Sequence, residues 1–265
     1  MGTVDIVTKE YMRENAIFAD VFNYLIYGGK KVIDPAGLTE VDTATSAVGK
    51  KDALQKYRDV LKAAVIKQDE KMSYVLLGVE NQTDVHYAMP VRNAIYALQY
   101  GKQVSDIAAG HRRSQKDYSG KTGGEYLSGF LKEDHIKPVI TLVIHFGAEE
   151  WDGPLSLHEM MPIRDMEILS YVENYRIHLI DPAKLTEEEL NKFSTSMREV
   201  MGYIKYSNNK EKLLDFLRTD THKSIEMNAA RVIKTITKTP IKISEEKEGI
   251  EMCQAIEELI AESEA

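Results

Sequence analysis

The chain has 265 residues, of which 43% are apolar, 29% charged and 8% aromatic, with a formal charge of −8. This is a globular composition, which excludes disordered and fibrous classes, and the length suits one elaborated domain or a domain plus an extension. The single Cys253 excludes an internal disulfide and fits a reducing cytoplasm, while no signal-peptide pattern and no run near the ~20 apolar residues of a membrane span are present.

In chain order, Phe18, Val21, Phe22, Leu25 and Ile26 recur at helical spacing, so Tyr11 to Tyr27 reads as one amphipathic helix ended by Gly28-Gly29. A short extended piece is expected near Leu38 to Val41. Lys56 to Ile66 and Met72 to Val79 read as strands joined by the polar turn Lys67 to Lys71. The run Tyr74 to Val79 is apolar on both faces, as in a central strand. Met89 to Ala109 reads as a helix with Pro90 in its first turn, where a missing N–H costs little. Gly110 to Gly124 reads as a polar loop. Pro138 to Phe146 is β-branched and reads as a buried strand, and a turn with Trp151-Asp152-Gly153-Pro154 follows. Tyr175 to Ile180 is a further strand. The remainder is helical: Thr186 to Ser207, Lys210 to Leu217, Lys223 to Thr235 and Ser244 to Glu262. The organisation expected is an α/β core over residues 1–183 and a helical C-terminal region over 184–265.

Charge is unevenly placed. From Ile243 to Ala265 eight glutamates face Lys247 alone, so this tail carries −7 and the rest of the chain about −1. His111-Arg112-Arg113-Ser114-Gln115-Lys116 with Lys121 forms a basic run, and Lys30-Lys31 and Lys50-Lys51 are basic pairs. Such patches leave nucleic-acid binding open, although solvated loop charges are the simpler account of each taken singly. Met252, Ile256, Leu259 and Ile260 form an apolar stripe that serves either packing on the chain's own core or self-association as a homodimer.

The informative geometry lies between Asp59 and Gln82. With the turn centred between Asp69 and Glu70, partner numbers sum to 139, so Asp59 is expected opposite Glu80 and Tyr57 opposite Gln82. Opposed residues share one face with Cβ atoms ~5 Å apart, and Glu80 and Gln82 share that face along the strand. Two unpaired carboxylates so close repel unless a divalent cation bridges them, and oxygen ligands suit Mg²⁺ or Mn²⁺. A one-residue slip would separate the pair, so an ordinary polar strand end stays open beside a metal site.

Asp59 on one strand, Glu80-Asn81-Gln82 at the end of the next, and a helix carrying Arg92 and Tyr96 resemble the PD-(D/E)XK nuclease pattern. The wider set, Phe18-Ala19-Asp20-Val21-Phe22, Tyr57-Arg58-Asp59, Leu77 to Gln82, Met89-Pro90-Val91-Arg92 and Trp151 to Pro154, resembles the recombination-promoting nuclease (Rpn) family, also known as YhgA-like transposases. The resemblance covers about Ala16 to Pro182. It implies a restriction-endonuclease-like mixed sheet flanked by helices with a helical C-terminal extension, and metal-dependent hydrolysis of DNA. It also implies Asp59 and Glu80 as ligands of Mg²⁺, with Mn²⁺ or Ca²⁺ as substitutes, and Gln82 as the third catalytic position, where the superfamily usually has lysine. A glutamine can position water but adds no charge.

Arg92 and Tyr96, four apart, share a helix face from which Arg92 could hold a phosphate bidentately and Tyr96 orient it; a salt-bridged Arg and half-buried Tyr are the alternative. Asp20 matches the first-helix acid of many such nucleases or is simply a surface acid. His86 reads as a loop histidine. Gly120-Lys121-Thr122 fails as a phosphate loop because Gln115 stands where glycine is required, and the seven histidines show no zinc spacing. The expectation is a cytoplasmic DNA endonuclease without membrane contact. Its rival is a catalytically degenerate DNA-binding or protein-interaction module on the same fold.

Overall fold

The computed structural model describes residues 2–41, 44–46, 55–57, 59–68, 71–113, 121–219, 225–239 and 249–250. Its centre is a five-stranded mixed sheet. The two apolar stretches around the polar turn pair antiparallel as β4 (Val60–Gln68) and β5 (Lys71–Gln82). Their register runs from Val60 opposite Val79 to Gln68 opposite Lys71, as the turn centre required. β1 (Thr39–Glu40) adds antiparallel to β4, while β6 (Val139–His145) and β7 (His178–Ile180) continue parallel beyond β5. The order is β1-β4-β5-β6-β7. β5 thus lies inside the sheet, which explains why its run is apolar on both faces.

The first of the two strands is interrupted. β2 (Ala44–Ser46) and β3 (Gln55–Tyr57) form a separate ribbon in which Tyr57 pairs with Ala44. The chain bends at Asp59 before β4 begins, so Tyr57 leaves the main sheet. Tyr57 is therefore not opposite Gln82, whose partner on the other side is His145.

The expected first helix is two helices, α1 (Thr3–Arg13) and α2 (Asn15–Tyr27). Glu14 between them is extended, and its carboxylate accepts from Asn228 at 2.6 Å. The buried ammonium of Lys62 reaches the α1 end and Asn15, so contacts from distant elements hold the break open. α2 ends as expected: Gly28 adopts φ +61°, a left-handed conformation that glycine takes without steric cost.

Met89 to Ala109 likewise divides, into α3 (Met89–Tyr96) and α4 (Leu98–Arg113). The expected polar loop is partly helical: α4 extends to Arg113, and α5 (Gly123–Ser128) starts from a Thr122–Glu125 capping box. α6 (Met166–Leu169), α7 (Glu187–Leu190), α8 (Met197–Tyr206), α9 (Lys210–Thr219) and α10 (Met227–Thr237) complete the described helices. β8 (Ile225–Glu226) pairs with β9 (Gly249–Ile250), where the sequence suggested helix from Ser244. Residues 251–265, with Cys253 and the apolar stripe, lie outside the described residues, as do Lys50, Lys51 and Lys116.

Alternation along β5 and β6 separates two cores. Leu77, Val79, Leu142 and Ile144 join Phe18 and Phe22 of α2, Val200 and Ile204 of α8, and Val232 and Ile233 of α10 in one buried cluster. Each such side chain contributes roughly 1.5–3 kcal/mol by leaving water. Val143, on the alternate face, packs with Met89, Trp151 and Ile177. α8 and α9 approach so closely that a Cβ on Gly202 would lie 2.1 Å from the Phe216 ring. Among the described residues no helix is long and apolar enough to cross a membrane.

Candidate functional site

At the C-terminal end of β5, a cleft of about 400 Å³ opens between α1 and the start of α3. Asp59, Asn81, Gln82 and the connection Thr83 to His86 form its floor, Asp5 and Lys9 of α1 one wall, and Arg92 of α3 the other.

Asp59 stands one residue before β4, at the bend just beyond the Val60–Val79 pair. Its Oδ2 accepts the Asn81 backbone N–H at 2.8 Å, which ties the carboxylate to the strand end. Burial pushes the Asp59 carboxyl above its ordinary range; the Asn81 N–H and the charges of Lys9 and Arg92 pull it back without cancelling that push.

Glu80 is 0% exposed and is not unpaired. Arg92 Nη2 meets its Oε2 at 2.8 Å, and the Tyr96 hydroxyl donates to its Oε1. Arg92 Nε also donates to Tyr96 Oη at 3.0 Å, so the three side chains form a closed triad. Tyr96 is itself fully buried, and burial followed by the Glu80 charge raises its phenol pKa far above normal. Tyr96 is therefore a support for Glu80 and not a surface that DNA could touch. Arg92 spans cleft and triad, and its guanidinium supplies the countercharge that the sequence reading assigned to a metal.

Gln82 lines the cleft, and its Nε2 donates to the Asn81 carbonyl at 2.9 Å. His86 also lines it, and its buried Nδ1 has no hydrogen-bond partner among the described residues. Trp151, 2% exposed, anchors the turn behind this connection: its N–H donates to Asp181, and the neighbouring Asp152 accepts from Tyr87 at 2.9 Å. That turn does back one wall of the cleft, because Gly153 sits against Val85.

Asp20 is not in the cleft. It is buried, and its carboxylate accepts five hydrogen bonds from the backbone and hydroxyls of Ser194 and Thr195. The first-helix acid that faces the site is Asp5, with Lys9 one turn on. The sequence reading missed both, although their i, i+4 spacing beside the buried Thr8, Tyr11 and Met12 was the available signal. The basic run is partly spent internally, since His111 contacts Asp134 at 2.8 Å and Lys121 pairs with Glu133 at 2.9 Å.

The donors suit a hard ion. Mg²⁺ commonly takes one or two carboxylates and keeps several waters, and Asp59 with Glu80 offers that set once Glu80 is released from Arg92. Among the described residues no three His, Cys, Asp or Glu side chains gather as a closed metal cage.

A family model described as "Putative transposase, YhgA-like" matches residues 7–232, most of the chain. The chain belongs to this family. This YhgA-like protein thus combines a mixed α/β sheet flanked by helices with a role related to transposition or recombination. Searches of curated proteins and of solved structures gave no match.

Proposed function

We propose that this YhgA-like protein is a divalent-metal-dependent DNA endonuclease on the PD-(D/E)XK plan, hydrolysing phosphodiester bonds in recombination or transposition. The observation that carries this reading is Asp59 on the floor of the cleft at the end of β5, held by the N–H of Asn81 next to Glu80, in a chain of a transposase family.

Asp59 and Glu80 would hold Mg²⁺, or Mn²⁺ or Ca²⁺ in its place. When bound, the ion supplies Lewis acidity toward the phosphate and lowers the pKa of an attacking water. The chain's own residues do the rest. The Asn81 N–H fixes the Asp59 carboxylate at the floor. Gln82 orients water through hydrogen bonds. Arg92 neutralises Glu80 until the ion takes over its carboxylate, which frees the guanidinium to meet a phosphate oxygen.

A plasmid-nicking assay with Mg²⁺ or Mn²⁺ tests the reading on wild type, Asp59→Ala and Glu80→Gln. Metal-dependent nicking by wild type, lost by a factor of at least ~10² in both variants, is the expected result. Equal nicking by all three would place the activity elsewhere. The second reading is a degenerate DNA-binding module, favoured by the triad that already neutralises Glu80. DNA binding without nicking at any metal concentration would select it.

A further inference from the structure

The superfamily's usual lysine is missing at Gln82, and its replacement is uncharged. A phosphodiester entering this cleft meets the carboxylates of Asp5, Asp59 and Asp84, so it needs a cation other than the metal to approach at all. Among the described residues two cations line the cleft, Lys9 and Arg92. Arg92 is committed to Glu80 and Tyr96. Lys9 forms no ion pair with a described residue.

The placement of Lys9 is built in. α1 buries Thr8, Tyr11 and Met12, which turns the intervening Lys9 to the edge of the cleft. The helix is pinned at its far end, where Lys62 donates to the Arg13 carbonyl and the Tyr11 hydroxyl meets Ser196 at 3.0 Å. Lys9 is near enough to Asp59 for its charge to draw the carboxyl downward against burial.

We infer that Lys9 is the phosphate-facing cation of the cleft, supplying from α1 the positive charge that the strand position Gln82 lacks. The inference rests on the nuclease reading and deepens it. The lysine ammonium meets a non-bridging oxygen of the scissile phosphate, where negative charge grows as the bond to the attacking water forms. Because Lys9 comes from a helix and not from β5, it reaches the phosphate from the side opposite Arg92.

The test uses the full chain as wild type, Lys9→Met, Lys9→Arg and Asp59→Ala. Binding to a fluorescent duplex is followed by anisotropy in EDTA across a salt series, and single-turnover cleavage is followed in Mg²⁺. Lys9→Met is expected to weaken binding by about 3- to 10-fold and to lower the salt slope by about one counterion. It is also expected to slow cleavage by about 10²-fold, with Lys9→Arg recovering most of both. A sulfur in place of the non-bridging oxygen should cost the wild type more than it costs Lys9→Met, a difference that mere misfolding does not produce. If Lys9→Met binds and cleaves as wild type does while Asp59→Ala is inactive, the Lys9 inference falls and the nuclease reading stands. If wild type does not cleave with any metal, the nuclease reading falls, and the binding series alone decides on Lys9: an unchanged salt slope overturns it, a reduced one keeps it.

Discussion

Lys62 Nζ donates to the carbonyl of Arg13 at 2.5 Å and to Asn15 Oδ1 at 2.6 Å, from a side chain that is 1% exposed. A lysine from the middle of a sheet thus caps the end of α1, where carbonyls lack partners and the helix dipole is negative. Replacing it by Met keeps the volume and removes both hydrogen bonds, leaving a buried carbonyl unsatisfied. Lys62→Met is expected to cost about 1–3 kcal/mol in urea denaturation. Faster amide exchange should appear in the last turn of α1 before the sheet is affected; uniform loss of protection would show that the contact is not local.

The Arg92–Glu80 pair makes an asymmetric prediction. Arg92→Ala leaves a carboxylate at 0% exposure without its cation, and breaking a buried pair in this way costs about 3–5 kcal/mol. Glu80→Gln leaves Arg92, a quarter exposed, to find water, so it should cost less than half as much. The double variant should recover part of the Arg92→Ala loss. Urea denaturation of the four proteins gives the coupling, and simple additivity would mean that the pair is not energetically linked.

Asp59 should trade stability for function. Its carboxyl is held above the ordinary value of 3.8, chiefly by burial. The folded chain therefore binds this proton more tightly than the unfolded chain, and the ionised form costs stability as pH rises through the folded value. Asp59→Asn keeps an acceptor for the Asn81 N–H and removes that cost. It should raise Tm at pH 7. The gain should shrink as pH falls and vanish below about 3.8. A gain that is independent of pH would assign the effect to packing.

Asp20→Ala separates a structural acid from a site acid. It strands the N–H groups of Ser194 and Thr195 inside the fold, at an expected cost of about 2–4 kcal/mol in urea denaturation. DNA affinity measured well below the new Tm should stay at the wild-type value, because this carboxylate lies away from the cleft.

The hairpin was legible because strands alternate with period two, and a short polar turn between β-branched stretches leaves one centre. Val60 opposite Val79 follows from that centre alone. The break at Glu14 was not legible, since Tyr11 and Phe18, seven apart, keep the helical period across it and the cause sits at Lys62 and Asn228. Arg92 stands twelve residues after Glu80, a spacing that no periodicity marks, so its ion pair needed the β5-to-α3 connection to be seen in space. Asp20 illustrates the limit most plainly. Its place on an apolar helix face was readable, whereas the donors that justify burying it lie 174 and 175 residues away.

The lean of α1 on α10 sets an order in time. Asp59 and Glu80 leave the ribosome well before α10 and come together as soon as the hairpin forms, but the wall that carries Asp5 and Lys9 has its main support in residues 227–237. A nascent or prematurely terminated chain holds both acids and lacks a fixed helix beside them. Whatever reaction the cleft performs, the protein acquires it only after α10 has been made and has docked on α1.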